Sequence, residues 1–174
     1  MWHTAKYFRL YILGQLEKLV RLINLLHITY DMKVALDTDV IVAALRSRTG
    51  AANVLLRALR AGKIKAVASV PMILEYEAVL KRPTQRHAIG FTVQEVERFL
   101  DGLTALLQPV IPHFLWRPTL RDPNDEMVLD AAVNGGADAI VTFNVKDFLP
   151  GAAQFNLAIL TPAEALRRLY DQDE

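Results

Sequence analysis

Asp37, Glu75, Asp122, Asp125, Asn144 and Asp147 stand just beyond short apolar runs or near helix starts. Asp37 closes the run Val34-Ala35-Leu36, and Asn144 and Asp147 follow the run Ala139 to Thr142. A short continuous apolar run is the signature of a buried parallel strand. Open α/β sheets place ligands outside the carboxyl ends of such strands. If the strands are parallel, these side chains converge at one edge. Clustered carboxylates repel and raise one another's pKa unless a cation sits among them. The group is therefore a candidate site for Mg²⁺ or Mn²⁺, which favour oxygen ligands. Each acid taken alone reads first as a helix cap or a solvated charge. Their recurrence at the ends of successive elements favours a site.

The elements that must position them can be read along the chain. Lys33 to Leu36 is the first strand, and Thr38 to Leu45 is helical. Ala51 to Ala61 is a helix ended by Gly62, and Lys65 to Ala68 a second strand. Ser69 caps a helix with Pro71 in its first turn, running to Lys81 and stopping before Pro83. Thr84 to Gly90 reads as a polar loop. Thr92 and Glu95 form a capping box for a helix with a buried stripe of Val93, Val96, Leu100, Leu103 and Leu107. Val110 and Ile111 make a brief strand, and His113 to Leu120 a loop carrying Phe114 and Trp116, read as packed rather than base-stacking. The turn Arg121 to Asp125 leads into a helix ending at Gly135-Gly136. A strand at Ala139 to Thr142, a loop at Asn144 to Pro150, a strand at Leu157 to Leu160 and a helix with a capping box at Thr161 and Glu164 complete the chain. Alternating strands and helices predict a parallel sheet covered on both faces.

The chain has 174 residues, 52% hydrophobic and 22% charged, enough for a globular domain with its own core. It has no cysteine, which excludes disulfides, thiolate metal sites and cysteine nucleophiles. Net charge is +1, but Arg46, Arg48, Arg57, Arg60, Lys63 and Lys65 fall in a stretch without an acid. That run reads as a solvated face or as a phosphate-binding rim near the acids. Residues 1–31 form a separate unit, with Tyr7 to Leu26 patterned as an amphipathic helix, and residues 32–174 form the main domain. Lys18 and Arg21 interrupt the apolar face, which argues against a bilayer span, and no signal-peptide pattern is present, so a cytoplasmic location is expected. Met32 directly precedes the first strand, so the preceding segment is an optional extension or the product of an upstream start.

The stretches LDTDVIVAAL, the helix ending KRP, DPNDEMVLDAA and IVTFNVKDF, in that order, resemble the PIN-domain nucleases, and more narrowly the toxin components of bacterial toxin–antitoxin pairs. The resemblance covers Lys33 to Leu169. It implies a three-layer α/β/α sandwich with a central, mostly parallel sheet, and Mg²⁺- or Mn²⁺-dependent hydrolysis of RNA. The family's four acidic positions fall on Asp37, Glu75, Asp125 and Asn144, which are the implied catalytic and metal-binding residues. Thr38, Asp122, Thr142 and Asp147 are possible auxiliaries, and Arg46 and Arg48 possible contacts to the RNA backbone. Glu75 and Glu77 are about 200° apart on a helix, so only one faces a small site, and the motif spacing selects Glu75. Two departures stand out: Asp39 occupies a position where the family commonly has Asn, and Asn144 one where it commonly has Asp. A second metal would then bind weakly unless Asp122 or Asp147 compensates.

The resemblance further implies a cognate antitoxin that occludes the acidic pocket, and a homodimer, for which the helix from Thr92 to Leu107 is a candidate surface. Two alternatives follow from the same residues. Asn144 suits a degenerate domain that binds RNA or protein without cutting. VALDTDV superficially matches the strand-end motif of haloacid-dehalogenase-like phosphatases, with Asp37 as nucleophile and Asp39 as acid/base, although no later lysine and paired-acid motif accompanies it.

Overall fold

The computed structural model describes residues 32–117 and 119–171, which belong to one compact unit, Met32–Glu174. The expected N-terminal amphipathic helix lies outside the described residues. Strands β1 (Lys33–Leu36), β2 (Lys65–Ala68), β3 (Leu107–Pro109), β4 (Ala139–Val141) and β5 (Ala158–Leu160) form a sheet of order β3-β2-β1-β4-β5. Every pairing is parallel. Among the described residues, eight α-helices accompany it: α1 (Thr38–Arg46), α2 (Ala51–Arg60), α3 (Val70–Leu80), α4 (Pro83–Ile89), α5 (Val93–Thr104), α6 (Glu126–Asn134), α7 (Val145–Ala152) and α8 (Pro162–Tyr170). The result is a three-layer α/β/α sandwich.

The central strands carry small and β-branched residues because both of their faces are covered. Val34, Ala35, Ala66, Ala139, Ile140 and Val141 are fully buried. Helix α6 packs on β1, β2 and β4, while α1, α2, α3 and α5 pack among themselves. From β1 the chain proceeds outward through β2 to β3, then returns to place β4 on the other side of β1. The gap between the ends of β1 and β4 is thus a topological switch point, where α/β sheets open a crevice.

Three local expectations are corrected. The segment 84–90 is not a loop: Pro83 opens α4 at its first turn, where a missing N–H is harmless, and Gly90 closes it with φ 79°. The third strand lies earlier than Val110-Ile111, at Leu107–Pro109, where it pairs only with β2, so Pro109 sits on a sheet edge that tolerates it. The segment after Asn144 is helix α7 despite Pro150, because Phe148, Gly151 and Ala152 bury one face. The stripe of α5 is also narrower than expected. Val96, Leu100 and Leu103 are buried, whereas Val93 is 40% exposed and Leu107 belongs to β3.

The loop after β3 is held by one face of α6. The Asn134 side chain accepts the N–H of His113 and Phe114, Asp130 accepts that of Trp116, and Glu126 Oε1 accepts those of Thr119 and Leu120 at 2.5 and 2.7 Å. Asp130 also pairs with Arg117 at 2.9 Å. Trp116 meets Phe114 at a tilt and Phe155 edge-on, yet Phe114 remains 66% exposed, so simple core packing does not describe this loop.

Candidate active site

Asp37 caps α1 from an extended backbone (φ −70°, ψ 155°) directly after β1. Its N–H is bonded to Val141 O at 2.9 Å, which ties the end of β1 to β4. Its Oδ1 accepts the Thr38 N–H at 2.6 Å and its Oδ2 the Thr142 hydroxyl at 2.7 Å. Burial raises the Asp37 pKa, and the bonds from Thr142 and Thr38 partly oppose that rise. Thr142 also accepts the Asn144 N–H at 2.9 Å, so one buried hydroxyl links the ends of the two strands.

Glu75 is brought to the same edge by its neighbour. Tyr76, fully buried on α3, donates its hydroxyl to the carbonyl of Leu36, the last residue of β1. The adjacent Glu75 then faces the cleft. Burial raises its pKa, the nearby Thr38 hydroxyl lowers it, and the Asp37 charge raises it again. Glu77 faces elsewhere, bonded at 2.6 Å to Lys81, which also reaches Glu97 at 2.8 Å. Asp125 begins α6, held by its N–H on Asp122 O at 3.1 Å. Its Oδ2 is buried without a hydrogen-bond partner, and its pKa is raised to about 7 by burial, then by the charges of Asp37, Asp122, Asp147 and Glu75.

These residues line one open cleft of about 470 Å³ that includes Asp37, Thr38, Asp39, Glu75, Asp125 and Asn144. Arg46 and Gln85 also line it, joined at 2.7 Å. Asp122 and Asp147 stand close enough to raise the Asp125 pKa but do not line it. Asp122 Oδ1 accepts both nitrogens of Asn124, and Asp147 accepts the Asn144 side-chain amide at 2.6 Å. Of the basic run, only Arg46 lines this cleft. Arg48 lies exposed in the following loop, Arg57 and Arg60 border a separate groove beside α5, and Lys65 starts β2 at the opposite end of the sheet, in register with Lys33. A continuous phosphate rim is therefore not formed, because parallel strands send their two ends to opposite edges.

Asp39, named in the sequence only as a departure from the family pattern and as the acid/base of the phosphatase alternative, is absent from the implied metal set. Helical spacing would separate it from Asp37, but Asp37 precedes the helix, and both enter the cleft. Asp39 Oδ2 accepts the Phe143 N–H at 3.0 Å, and Oδ1 is buried without a partner. Its pKa is raised to about 6 by burial and then by the Asp37 charge.

Among the described residues, no three Asp, Glu or His side chains form a ready-made metal cluster. The donor chemistry nonetheless suits a hard divalent cation. Every candidate donor is oxygen, two buried carboxylate oxygens lack partners, and no lysine or arginine pairs with Asp37, Asp39 or Asp125 by a salt bridge among the described residues. Mg²⁺ in particular keeps several waters and needs only one or two direct carboxylates.

An α/β/α domain with an acidic cleft at its switch point is the class that fold and site define. The PIN domain family profile matches residues 33–146, and the chain belongs to that family. None of the curated proteins matches it. Among solved structures it is similar to VapBC2 from Rickettsia felis bound to a DNA fragment from their promoter, with TM-score 0.53 and 18% identity over 75% of this chain and 98% of that one. It is likewise similar to VapBC-1 from nontypeable Haemophilus influenzae, with TM-score 0.53 and 19% identity over 76% of this chain and 99% of that one. At these identities the likeness concerns the fold. No helix among the described residues is long and apolar enough to cross a membrane. The family match leaves the phosphatase alternative without support.

Proposed function

We propose that this chain is a divalent-metal-dependent ribonuclease, the toxin component of a toxin–antitoxin pair. The observation that carries this reading is the convergence of Asp37, Glu75 and Asp125, remote in sequence, on one cleft, with no salt bridge to any of them among the described residues. Asp37, Glu75 and Asp125 would hold Mg²⁺ or Mn²⁺, with Asn144 directly or through water. A bound ion would supply a more acidic water and offset charge on the attacked phosphate. Thr142 keeps Asp37 in place through its hydroxyl. Asp125 or Glu75 orients the attacking water or takes its proton. Arg46, at the cleft, and the exposed Arg48 hold the RNA backbone, which gives affinity without sequence choice.

The names of the two similar structures support a VapB-like antitoxin partner, expected to cover this cleft. The exposed Val93 at the start of α5 and Leu106 in the turn beyond it fit a homodimer surface. Cleavage of structured and unstructured RNAs by the purified chain, with Mg²⁺ or Mn²⁺ and with chelator, tests the reading. Metal-dependent cuts that vanish in Asp37→Asn are expected. Equal activity of a folded Asp37→Asn variant overturns it.

A non-catalytic RNA- or protein-binding domain is the second reading. The observation that favours it is the neutral Asn144, whose amide is turned to Asp147. RNA binding without cleavage under any divalent ion would establish it.

A further inference from the structure

The two departures from the PIN pattern lie against each other in space. Asp39, in the first turn of α1, accepts the backbone N–H of Phe143 at 3.0 Å, and its Oδ2 is 3.5 Å from the Thr142 hydroxyl. Phe143 directly precedes Asn144, whose own N–H is bonded to that same hydroxyl. A carboxylate rooted on α1 thus reaches the end of β4, one residue from the neutral Asn144. Its second oxygen is buried with no partner, and Asp39 and Asn144 line the cleft that holds Asp37. Thr38, only 8% exposed and lining the same cleft, turns its hydroxyl toward Glu75.

Bracing β4 does not explain the charge. One acceptor satisfies the Phe143 N–H, and a neutral Asn would provide it without repulsion from Asp37. An acid in a first turn gains modestly from the helix dipole when exposed. A carboxylate oxygen buried without a partner works against that gain. A cation in the cleft would resolve the conflict. Asp122 and Asp147 are less suited to compensate, since each already accepts hydrogen bonds from an Asn side chain.

We propose that Asp39 supplies the fourth carboxylate of the divalent-ion site, the negative charge having moved from the end of β4 to the first turn of α1. This inference rests on the metal-site reading above. Asn144 then adds only a neutral carbonyl, directly or through water, while its amide is held on Asp147.

The test is Mn²⁺ binding to the full chain, followed by loss of the free-ion electron paramagnetic resonance signal, with fold checked by circular dichroism. Asp39→Asn is expected to weaken Mn²⁺ by about tenfold or more, a loss of the size expected when a metal site is perturbed. Asp39→Asn combined with Asn144→Asp is expected to recover most of that loss. Asn144→Asp alone should barely tighten binding, because the fourth carboxylate is already present. Unchanged binding in Asp39→Asn while Asp37→Asn loses it overturns the proposal and leaves the site reading standing. No recovery in the double variant, or tightening by about tenfold in Asn144→Asp alone, also overturns it. If Asp37→Asn binds Mn²⁺ like the parent chain, the site reading itself fails.

Discussion

The hydroxyl of Tyr76 is bonded to the carbonyl of Leu36, joining α3 to the residue that immediately precedes Asp37. Glu75 and Asp37 are therefore each one residue away from the two ends of a single buried hydrogen bond. Losing a buried hydrogen bond costs about 1–3 kcal/mol when a partner is left unsatisfied. Tyr76→Phe is expected to lower stability by that order in urea unfolding and to weaken Mn²⁺ binding, although it removes no proposed ligand. Parent-like Mn²⁺ affinity would show that the bond does not set the position of Glu75.

Glu75 and Glu77 separate cleanly as experimental variants. Glu75→Gln should abolish metal-dependent cleavage with the fold intact. Glu77→Gln breaks a surface pair with Lys81, an interaction of about 0–1 kcal/mol, and should leave cleavage unchanged. Comparing the two rates on one RNA decides the matter, and a reversed order would reassign the second acidic position.

The chelated protein should become more stable as pH falls. Asp125 is raised to about 7 and Asp39 to about 6, while Asp37 is raised as well. Each acid holds its proton more tightly folded than unfolded, so protonation favours the folded state. This contribution is fully present below the unfolded carboxylate pKa of about 4 and is lost as pH rises through the folded values. Melting temperature in EDTA should climb from pH 8 to pH 5, and a flat profile would contradict the assignment. Adding Mg²⁺ at pH 8 should restore much of the difference.

Asp125→Asn extends the same reasoning. Removing a charge that repels Asp37 and Glu75, at a site with an unpartnered buried oxygen, should raise the melting temperature in EDTA while abolishing cleavage. A variant both less stable and fully active would contradict both halves.

Gly135 closes α6 where an added Cβ would meet Ala131 O and Val110 Cγ2, each at 2.8 Å, and Val67 Cβ at 3.1 Å. Because one of those atoms is backbone, the neighbours cannot simply rotate away. Gly135→Ala should cost about 1–3 kcal/mol in urea unfolding, with metal binding retained. A neutral effect would mean that the end of α6 shifts without penalty.

Much of this arrangement could be read before any coordinates. Apolar runs such as Val34-Ala35-Leu36 gave the buried strands, and the acids beyond them marked the crevice. Prolines misled most: Pro83 opens a helix and Pro150 lies within one, since buried Phe148 and Gly151 outweigh the local breaker. Asp39 was hidden because a first-turn acid ordinarily needs no explanation beyond the helix dipole. Only the tertiary bond to Phe143 distinguishes it. Lys63 and Lys65 illustrate the converse, since residues adjacent in sequence to Arg60 end up across the sheet from the acids.

The loop from His113 to Leu120 is gripped largely by its backbone amides, through acceptors spaced four residues apart on α6. Such a grip places few demands on what the loop displays. Phe114 stays outward while its main chain is anchored, and Trp116, likewise anchored, packs edge-on against Phe155. Exposed Phe114 can therefore be exchanged at little structural cost, whereas the far end of the loop is tied through Glu126 to the residue next to Asp125, so a change at Thr119 or Leu120 would reach the acidic cleft.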